Sequence, residues 1–369
     1  MLKQREKGII VAPNSFKGSL DTFRICEIIK EELACLPTPI FGLPMGDGGD
    51  GSVDVIAHYT NAVKTNIITC DAFGRSNQSA YYRSGDTAII GLAEICGIKL
   101  LNTNEYDVLN ASTSGLGIAI NHAIDHGAKH ILLCLGGSAS IDAGLGALEI
   151  MGLDITSTNT KYNNKLIDLK GFDTTTIKKK FKDVEWTILC DVETTLYGTN
   201  GAAYVFGKQK GASPSQISLL DEKLKNYATH INTYLGKDIS DMRHGGAAGG
   251  ISFSFAALLN ARLISGADYC INLSGFKDII KRSSWVITGE GKLDYQSLYG
   301  KIPGRIAELS GIEKTKVIAI SGDAEGEFPM FDHIYTLSKY ASSLSDSITN
   351  AEKYLRLICQ KLVAENYFQ

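Results

Sequence analysis

Trp285-Val286-Ile287-Thr288-Gly289-Glu290-Gly291-Lys292-Leu293-Asp294-Tyr295-Gln296-Ser297, continuing to Gly300-Lys301, joins an apolar strand to a loop of glycines, acids, lysines and amides. In open α/β sheets such a loop, at the carboxyl end of a buried strand, is where ligands bind. The pattern recurs. Residues 9–11 feed Ala12-Pro13-Asn14-Ser15-Phe16-Lys17-Gly18-Ser19, and residues 41–44 feed Met45-Gly46-Asp47-Gly48-Gly49-Asp50-Gly51. Residues 131–135 feed Gly136-Gly137-Ser138-Ala139-Ser140-Ile141-Asp142.

Working outward, residues 19–34 predict a helix, with Ile25, Ile28, Ile29 and Leu33 at helical spacing and Ser19 as its cap. A strand at 40–44 and a helix at 53–59 complete a βαβα run, which demands parallel strands. The far end repeats the style, with strands at 285–288, 317–321 and 333–337 and helices near 303–309 and 347–364. Both ends therefore build one doubly wound, Rossmann- or flavodoxin-like parallel-sheet domain from residues 1–68 and 283–369. Residues 69–282 form a second α/β domain inserted into it. Inside the insertion, a helix at 114–126 ends at Gly127 before the strand 130–135, and a helix at 140–151 stops at Gly152. Ser213-Pro214-Ser215-Gln216 is a capping box with proline at the first helical position, leading into Ile217, Leu220, Leu224, Tyr227 and Ile231. The lysine-rich stretch 159–182 reads as a solvated surface excursion.

At 369 residues the chain exceeds one ordinary core and predicts two domains. A net charge of −3 and 21% charged residues supply no electrostatic footprint for nucleic acid or an anionic membrane, so a small molecule is the expected partner. The eight cysteines show no CxxC and no zinc-ligand spacing, and Cys134 and Cys190 lie inside apolar strands as small core residues. Without a signal-peptide core near Lys3, Arg5, Glu6 and Lys7, or an apolar run of about 18 residues, a cytoplasmic location is expected. Glu365-Asn366-Tyr367-Phe368-Gln369 resembles a protease recognition site lacking one leucine and is set aside from the functional reading.

Neither a P-loop nor a protein-kinase set of motifs is present, and no G-x-G-x-x-G follows the first strand, which also disfavours a dehydrogenase. The strand-end loops nevertheless carry acids (Asp47, Asp50, Asp142, Asp191, Glu290, Asp294), cations (Lys17, Lys292, Lys301) and neutral donors (Ser15, Ser138, Ser140, Gln296, Ser297). Each loop alone has a plain structural alternative. Lys17 could sit in solvent behind a cap, Asp50 could cap the following helix, and Gly136 and Gly137 could serve strand-helix packing. Gly245-Gly246-Ala247-Ala248-Gly249-Gly250 is at least as well explained by close packing as by a ligand. His122 and His126 share a helix face, but with no HExxH they read as half-buried or surface residues.

Taken in order, the segments around Asn14, Asp47, Gly136, Asp191 with Asn200-Gly201-Ala202-Ala203, Gln209-Lys210-Gly211-Ala212, Gly245 and Thr288 resemble the glycerate kinase family. Its members carry APDSFKGS, DGGEGT, GGSAS, DVxNPL, NGAA, QKGA, GAAGG and TGEGxLDxQ, and the resemblance runs from Ile9 to about Ser321. It departs at Asn14, where the family has aspartate and a general base would need the charge, and at Thr194-Thr195, which replace Asn-Pro. The resemblance implies transfer of the ATP γ-phosphoryl to D-glycerate with Mg²⁺, in a cleft between two α/β domains, with 2-phosphoglycerate favoured over 3-phosphoglycerate. It implies that Lys17 and Lys301 pair substrate or phosphate charge, that Asp191 and Asp294 hold Mg²⁺ or orient the acceptor hydroxyl, and that Asp47 completes the pocket. Ser15, Gly48, Gly49, Gly136, Gly137, Ser138, Ser140, Glu290, Gln296, Ser297 and Lys301 are the expected substrate- and nucleotide-binding positions. A homodimer is one assembly open to such a chain. A two-domain protein that binds a small organic acid without chemistry, or a kinase for another small hydroxy acid, stays open as an alternative.

Overall fold

The structure is a computed structural model that describes residues 7–157, 161–295 and 300–368. The chain begins with β1 (Gly8–Pro13), α1 (Thr22–Leu33) and β2 (Ile40–Gly42). It continues through α2 (Ser52–Thr60), the strands β3 (Val63–Cys70), β4 (Ser76–Ser84) and β5 (Thr87–Gly91), then α3 (Ala93–Cys96) and α4 (Ser114–Asp125). Next come β6 (His130–Cys134), α5 (Leu145–Met151), β7 (Asp154–Ser157), β8 (Leu169–Asp173), α6 (Thr175–Lys180) and β9 (Glu185–Leu189). They are followed by α7 (Ala202–Phe206), α8 (Pro214–Leu235), α9 (Ile251–Leu259) and β10 (Arg262–Ile264). The remainder holds α10 (Gly266–Leu273), α11 (Phe276–Ile279), β11 (Ser283–Gly289), β12 (Lys292–Leu293) and α12 (Ile302–Ile312). β13 (Lys316–Ser321), β14 (Asp323–Ala324), β15 (His333–Thr336), α13 (Leu344–Thr349) and α14 (Ala351–Ala364) close it.

Two compact units emerge, one from Met1–Asp47 with Ser265–Gln369 and one from Gly48–Ile264. The division falls at 47/48 and 264/265, against the expectation of 68/69 and 282/283. The reason is packing. α2 lies on β4 and β5 of the second unit, while Ala267 and Ile271 of α10 and Phe276 of α11 join Ile10, Ala12 and Val286 in the core of the first.

The first unit is a five-stranded sheet ordered β15-β13-β11-β1-β2, parallel throughout. Side chains alternate across a strand, so Ile9 and Val11 enter one core with α1 and α14 while Ile10 and Ala12 enter another with α10 and α12. Both faces are covered, which is why β1 reads as continuous apolar sequence. Arg24 and Arg356 tie α1 to α14 through Glu31, Glu32 and Glu352. Tyr367 and Phe368, set aside on sequence, pack edge-on against Trp285 with ring centroids at 6.2 and 5.8 Å. Those two aromatics bury apolar surface that Trp285 would otherwise expose.

The second unit carries a six-stranded sheet ordered β10-β9-β6-β5-β4-β3. β3, β4 and β5 pair antiparallel, and β5, β6, β9 and β10 run parallel. The capping box forms as expected, with Gln216 N donating to Ser213 Oγ at 3.3 Å and Ser213 N donating to Gln216 Oε1 at 2.8 Å. α6 occupies part of the segment expected to be a solvated excursion, anchored by Ile177 at 0% exposure. No described helix is long and apolar enough to cross a membrane. None of the eight cysteines forms a disulfide, and Cys134 and Cys190 are buried as expected.

Candidate active site

In the first unit the chain leaves β1 toward β2 on one side and returns through β11, β13 and β15 on the other. The crevice at such a reversal, beyond the carboxyl ends of the strands, is the general ligand position of doubly wound sheets. The loops after β1 and β11 meet there. Asn14 N donates to Gly289 O at 2.8 Å, and a Cβ on Gly291 would lie 3.0 Å from Lys17 N, so a glycine permits this approach. The β13 loop braces the same corner, with Gly322 N on Glu290 O at 3.2 Å and Asp323 N on Gly291 O at 3.1 Å. Leu293, fully buried, pins the segment so that half-buried Asp294 follows directly after an anchored side chain.

Asn14 organises the acid at the end of β2. Its Nδ2 donates to Asp47 Oδ2 at 3.1 Å while its Oδ1 accepts from Ser15 N at 2.9 Å. An aspartate here would face Asp47 as a second carboxylate; the amide supplies a donor instead. Lys17 is exposed and forms no hydrogen bond or ion pair among the described residues. Lys301 Nζ stands 3.9 Å from Oε2 of Glu290, a carboxylate residue only 7% exposed. Lys292 turns to Glu325 at 2.7 Å, and that hydrogen bond raises its pKa. Ser15, Lys17, Asp47, Glu290, Asp294 and Lys301 thus all belong to strand-end loops or the start of α12 in one unit. Gln296 and Ser297 lie outside the described residues.

Two expectations for this unit change. α1 begins at Thr22, capped by Asp21, whose side chain accepts from Arg24 N at 2.9 Å, and not by Ser19. Ser19 donates to Phe16 O at 3.0 Å, closing the preceding loop on itself, with Phe16 N on Leu20 O at 2.8 Å. The loop holding Lys17 is therefore a compact turn, and the amides that open α1 face Asp21.

In the second unit, Gly48, Gly49, Gly136 and Gly137 come together. Gly136 N donates to Gly48 O at 3.2 Å, and a Cβ on Gly136 would lie 2.3 Å from Gly49 Cα. Gly48, with φ of +84°, leaves no space for a side chain against Leu189. Close backbone packing thus accounts for Gly48 and Gly136 by itself. Asp50 is not the cap of α2, whose N-cap is Gly51; it pairs with Lys99, which also binds Glu94 at 3.0 Å.

Asp142 is corrected from a candidate ligand to a loop organiser. It is 0% exposed and accepts five hydrogen bonds, from Thr113 N and Oγ1, Ser140 Oγ, Gly144 N and Gly146 N, at 2.7–3.3 Å. The following helix starts at Leu145 and not at 140, because Asp142 takes the amides that an earlier start would leave for an outside anion. Asp191, half-buried, follows the end of β9. The adjoining loops interlock: Gly246 N donates to Thr194 O at 3.0 Å, and a Cβ on Gly249 would lie 2.5 Å from Ser140 O. Packing is again the reason for the Gly245–Gly250 run.

One residue of this unit entered the sequence reading only within the QKGA match, with no role of its own. Lys210 is 4% exposed, and its Nζ donates to Ser138 Oγ and Ser140 O, both at 2.7 Å. Burial lowers its pKa to about 7, against an opposing pull from Asp142. Lysine is almost always solvated, so composition and spacing offer no hint of such a placement.

Among the described residues no group of three or more His, Cys, Asp or Glu side chains forms a metal-binding cluster. Asp47 and Asp294 in the first unit and Asp191 in the second are half-buried carboxylates in strand-end loops. Single carboxylates of this kind fit Mg²⁺ in chemistry, since it is typically held by one or two carboxylates together with phosphate oxygens and water.

The model of the glycerate kinase family matches residues 9–366. The chain belongs to the glycerate kinase family. A glycerate kinase from Bacillus cereus is 30% identical over 96% of this chain and 97% of its own length. A glycerate 2-kinase from Escherichia coli is 32% identical over 85% of this chain and 84% of its own. A solved structure from Salmonella typhimurium, designated a glycerate kinase 2, superposes with a TM-score of 0.79 at 29% identity and covers 98% of both chains. The glycerate kinase assignment makes the protein an ATP-dependent phosphotransferase on an α/β scaffold, and it excludes the dehydrogenase and passive-binder readings.

Proposed function

We propose that this glycerate kinase family member transfers the γ-phosphoryl of ATP to a hydroxyl of D-glycerate, with Mg²⁺, and releases 2-phosphoglycerate. The observation that carries the reading is the family match across residues 9–366, with strand-end acids and lysines in the loops that a phosphotransferase needs. The name of the Escherichia coli relative, glycerate 2-kinase, supports the position of transfer.

Phosphoryl transfer asks a protein for positioning and charge stabilisation more than for covalent chemistry. Lys17 and Lys301 are assigned to the anionic groups, the glycerate carboxylate or the phosphate oxygens. Asp47, oriented by Asn14, directs the acceptor hydroxyl and receives its proton as the oxygen bonds to phosphorus and the ADP oxygen departs. Asp191 and Asp294 would hold Mg²⁺, which when bound neutralises charge on the phosphate oxygens. Ser15, Ser138, Ser140, Glu290, Gln296 and Ser297, with the glycine loops at 48–49 and 136–137, complete substrate and nucleotide binding. ³¹P NMR of purified protein with ATP, Mg²⁺ and D-glycerate tests this directly. A 2-phosphoglycerate resonance supports it, a 3-phosphoglycerate resonance corrects the position, and an unreacted glycerate pool beside bound ATP overturns the substrate.

A further inference from the structure

Lys210 ends the short turn Lys208–Lys210, under the loop that follows β6. Burying an ammonium carries a desolvation cost that methionine, of similar length, would avoid. Both of its hydrogen bonds go to this loop, one to the Ser138 hydroxyl and one to the Ser140 carbonyl. In its ammonium form Lys210 fixes the direction of the bond to Ser138, because an ammonium has three N–H donors and no lone pair. Ser138 Oγ therefore accepts from Lys210 and keeps its own proton for something else. Among the described residues that proton has no acceptor, although Ser138 is only 6% exposed. Neighbouring Ser140 differs, since its hydroxyl donates to Asp142 at 3.0 Å. The backbone on either side of Ser138 is also committed, with Ile98 N on Gly137 O at 2.8 Å and Ala139 N on Cys96 O at 3.1 Å. The Ser138 hydroxyl is thus a held donor on a tethered loop.

We propose that Lys210 is a positioning residue for nucleotide binding: it turns the Ser138 hydroxyl into a one-way donor aimed at an anionic oxygen, that of the ATP phosphate chain. This rests on the assignment of the Gly136–Ser140 loop to the nucleotide. Lys210 acts through Ser138 and has no contact with the ligand itself. A lysine that merely braced the loop would be expected to disturb both substrates and stability alike.

The test uses the full-length protein and the variants Lys210→Met, Ser138→Ala, Ser138→Thr and the Lys210→Met/Ser138→Ala pair, with ATP affinity read by calorimetry and KM measured for each substrate. Losing one hydrogen bond to a charged oxygen weakens binding by about tenfold to a hundredfold. Each of Lys210→Met and Ser138→Ala is expected to weaken ATP by that factor and leave the KM for D-glycerate unchanged. The pair should be no worse than the weaker single variant, and Ser138→Thr, which keeps the hydroxyl, should bind ATP like the parent. Wild-type ATP affinity in Ser138→Ala, or additive losses in the pair, would overturn the inference while leaving the kinase reading intact. A parent protein that binds no ATP would overturn both. Should Lys210→Met fail to fold, Ser138→Ala against Ser138→Thr carries the test, since one removes the hydroxyl and the other keeps it.

Discussion

Asn14 and Asp47 show how one atom changes the chemistry of a site. With Nδ2 donating at 3.1 Å, Asp47 keeps its carboxylate beside a neutral partner. Asn14→Asp would place two carboxylates at that distance, and like charges so close raise the pKa of one of them. The ionised form needed to accept a proton would then persist only at higher pH. The acid limb of the kcat/KM profile is therefore expected to move upward by about one pH unit or more; a profile that superposes on the parent would remove Asp47 from proton transfer. Asp191→Ala and Asp294→Ala should each lower kcat by roughly 10²-fold or more, with thermal midpoints close to the parent because both side chains are half-buried at loop ends. Near-normal turnover in both variants would take them out of the mechanism. Lys210 makes a third prediction. Its folded pKa of about 7 lies below the unfolded value of 10.5, so between those values the unfolded chain binds more protons and stability rises with pH. Lys210→Met should remove that rise from the curve of unfolding free energy between pH 7 and 10, and an unchanged slope would show that the lysine is not desolvated.

Elements were legible in the sequence where a local signal sets them. The Ser213 capping box and the period of α8 need no distant partner, and both formed as read. Helix starts at the site were read less well, because the side chain that satisfies the first amides is chosen by tertiary geometry among several acceptors. Asp21 displaced Ser19, and Asp142 held the chain out of helix until Leu145. Glycine runs were legible as unusual, but not for what they do: Gly136, Gly246 and Gly249 face backbone atoms of loops distant in sequence. At Gly289 the same effect is sharpest, since an added Cβ would stand 1.6 Å from Ile320 O on the neighbouring strand. Gly289→Ala is expected to cost about 3 kcal/mol or more, read by urea unfolding; a loss below about 1 kcal/mol would mean that β11 and β13 part easily there.

For the whole molecule, the two units have separate cores. The second is contiguous in sequence and includes α2 and β3, with a core running from Ile67 to Ala261. A chain of residues 48–264 is therefore expected to fold alone, with a cooperative urea transition and no kinase activity, since Lys17, Asp47 and Asp294 are absent from it. A broad, non-cooperative transition would show that this core depends on the rest of the chain. The earlier boundary at 68/69 would cut the fragment between α2 and the strands on which it packs.

The sequence by itself determined the fold class and the family, because apolar strands running into glycine-rich polar loops and the order of those loops are written in local composition. It also placed Lys17, Asp47, Asp191 and Asp294 at strand ends, since the period of the flanking strands dictates where each loop begins. Only the tertiary structure decided which polar side chains serve the protein itself. Asp50, Asp142 and Lys292 are engaged by Lys99, by the amides around Thr113 and Gly144, and by Glu325. Lys210 lies buried under a loop about 70 residues away in sequence. Hydrogen bonding and desolvation depend on which groups approach within about 3 Å, and no periodicity along the chain encodes that.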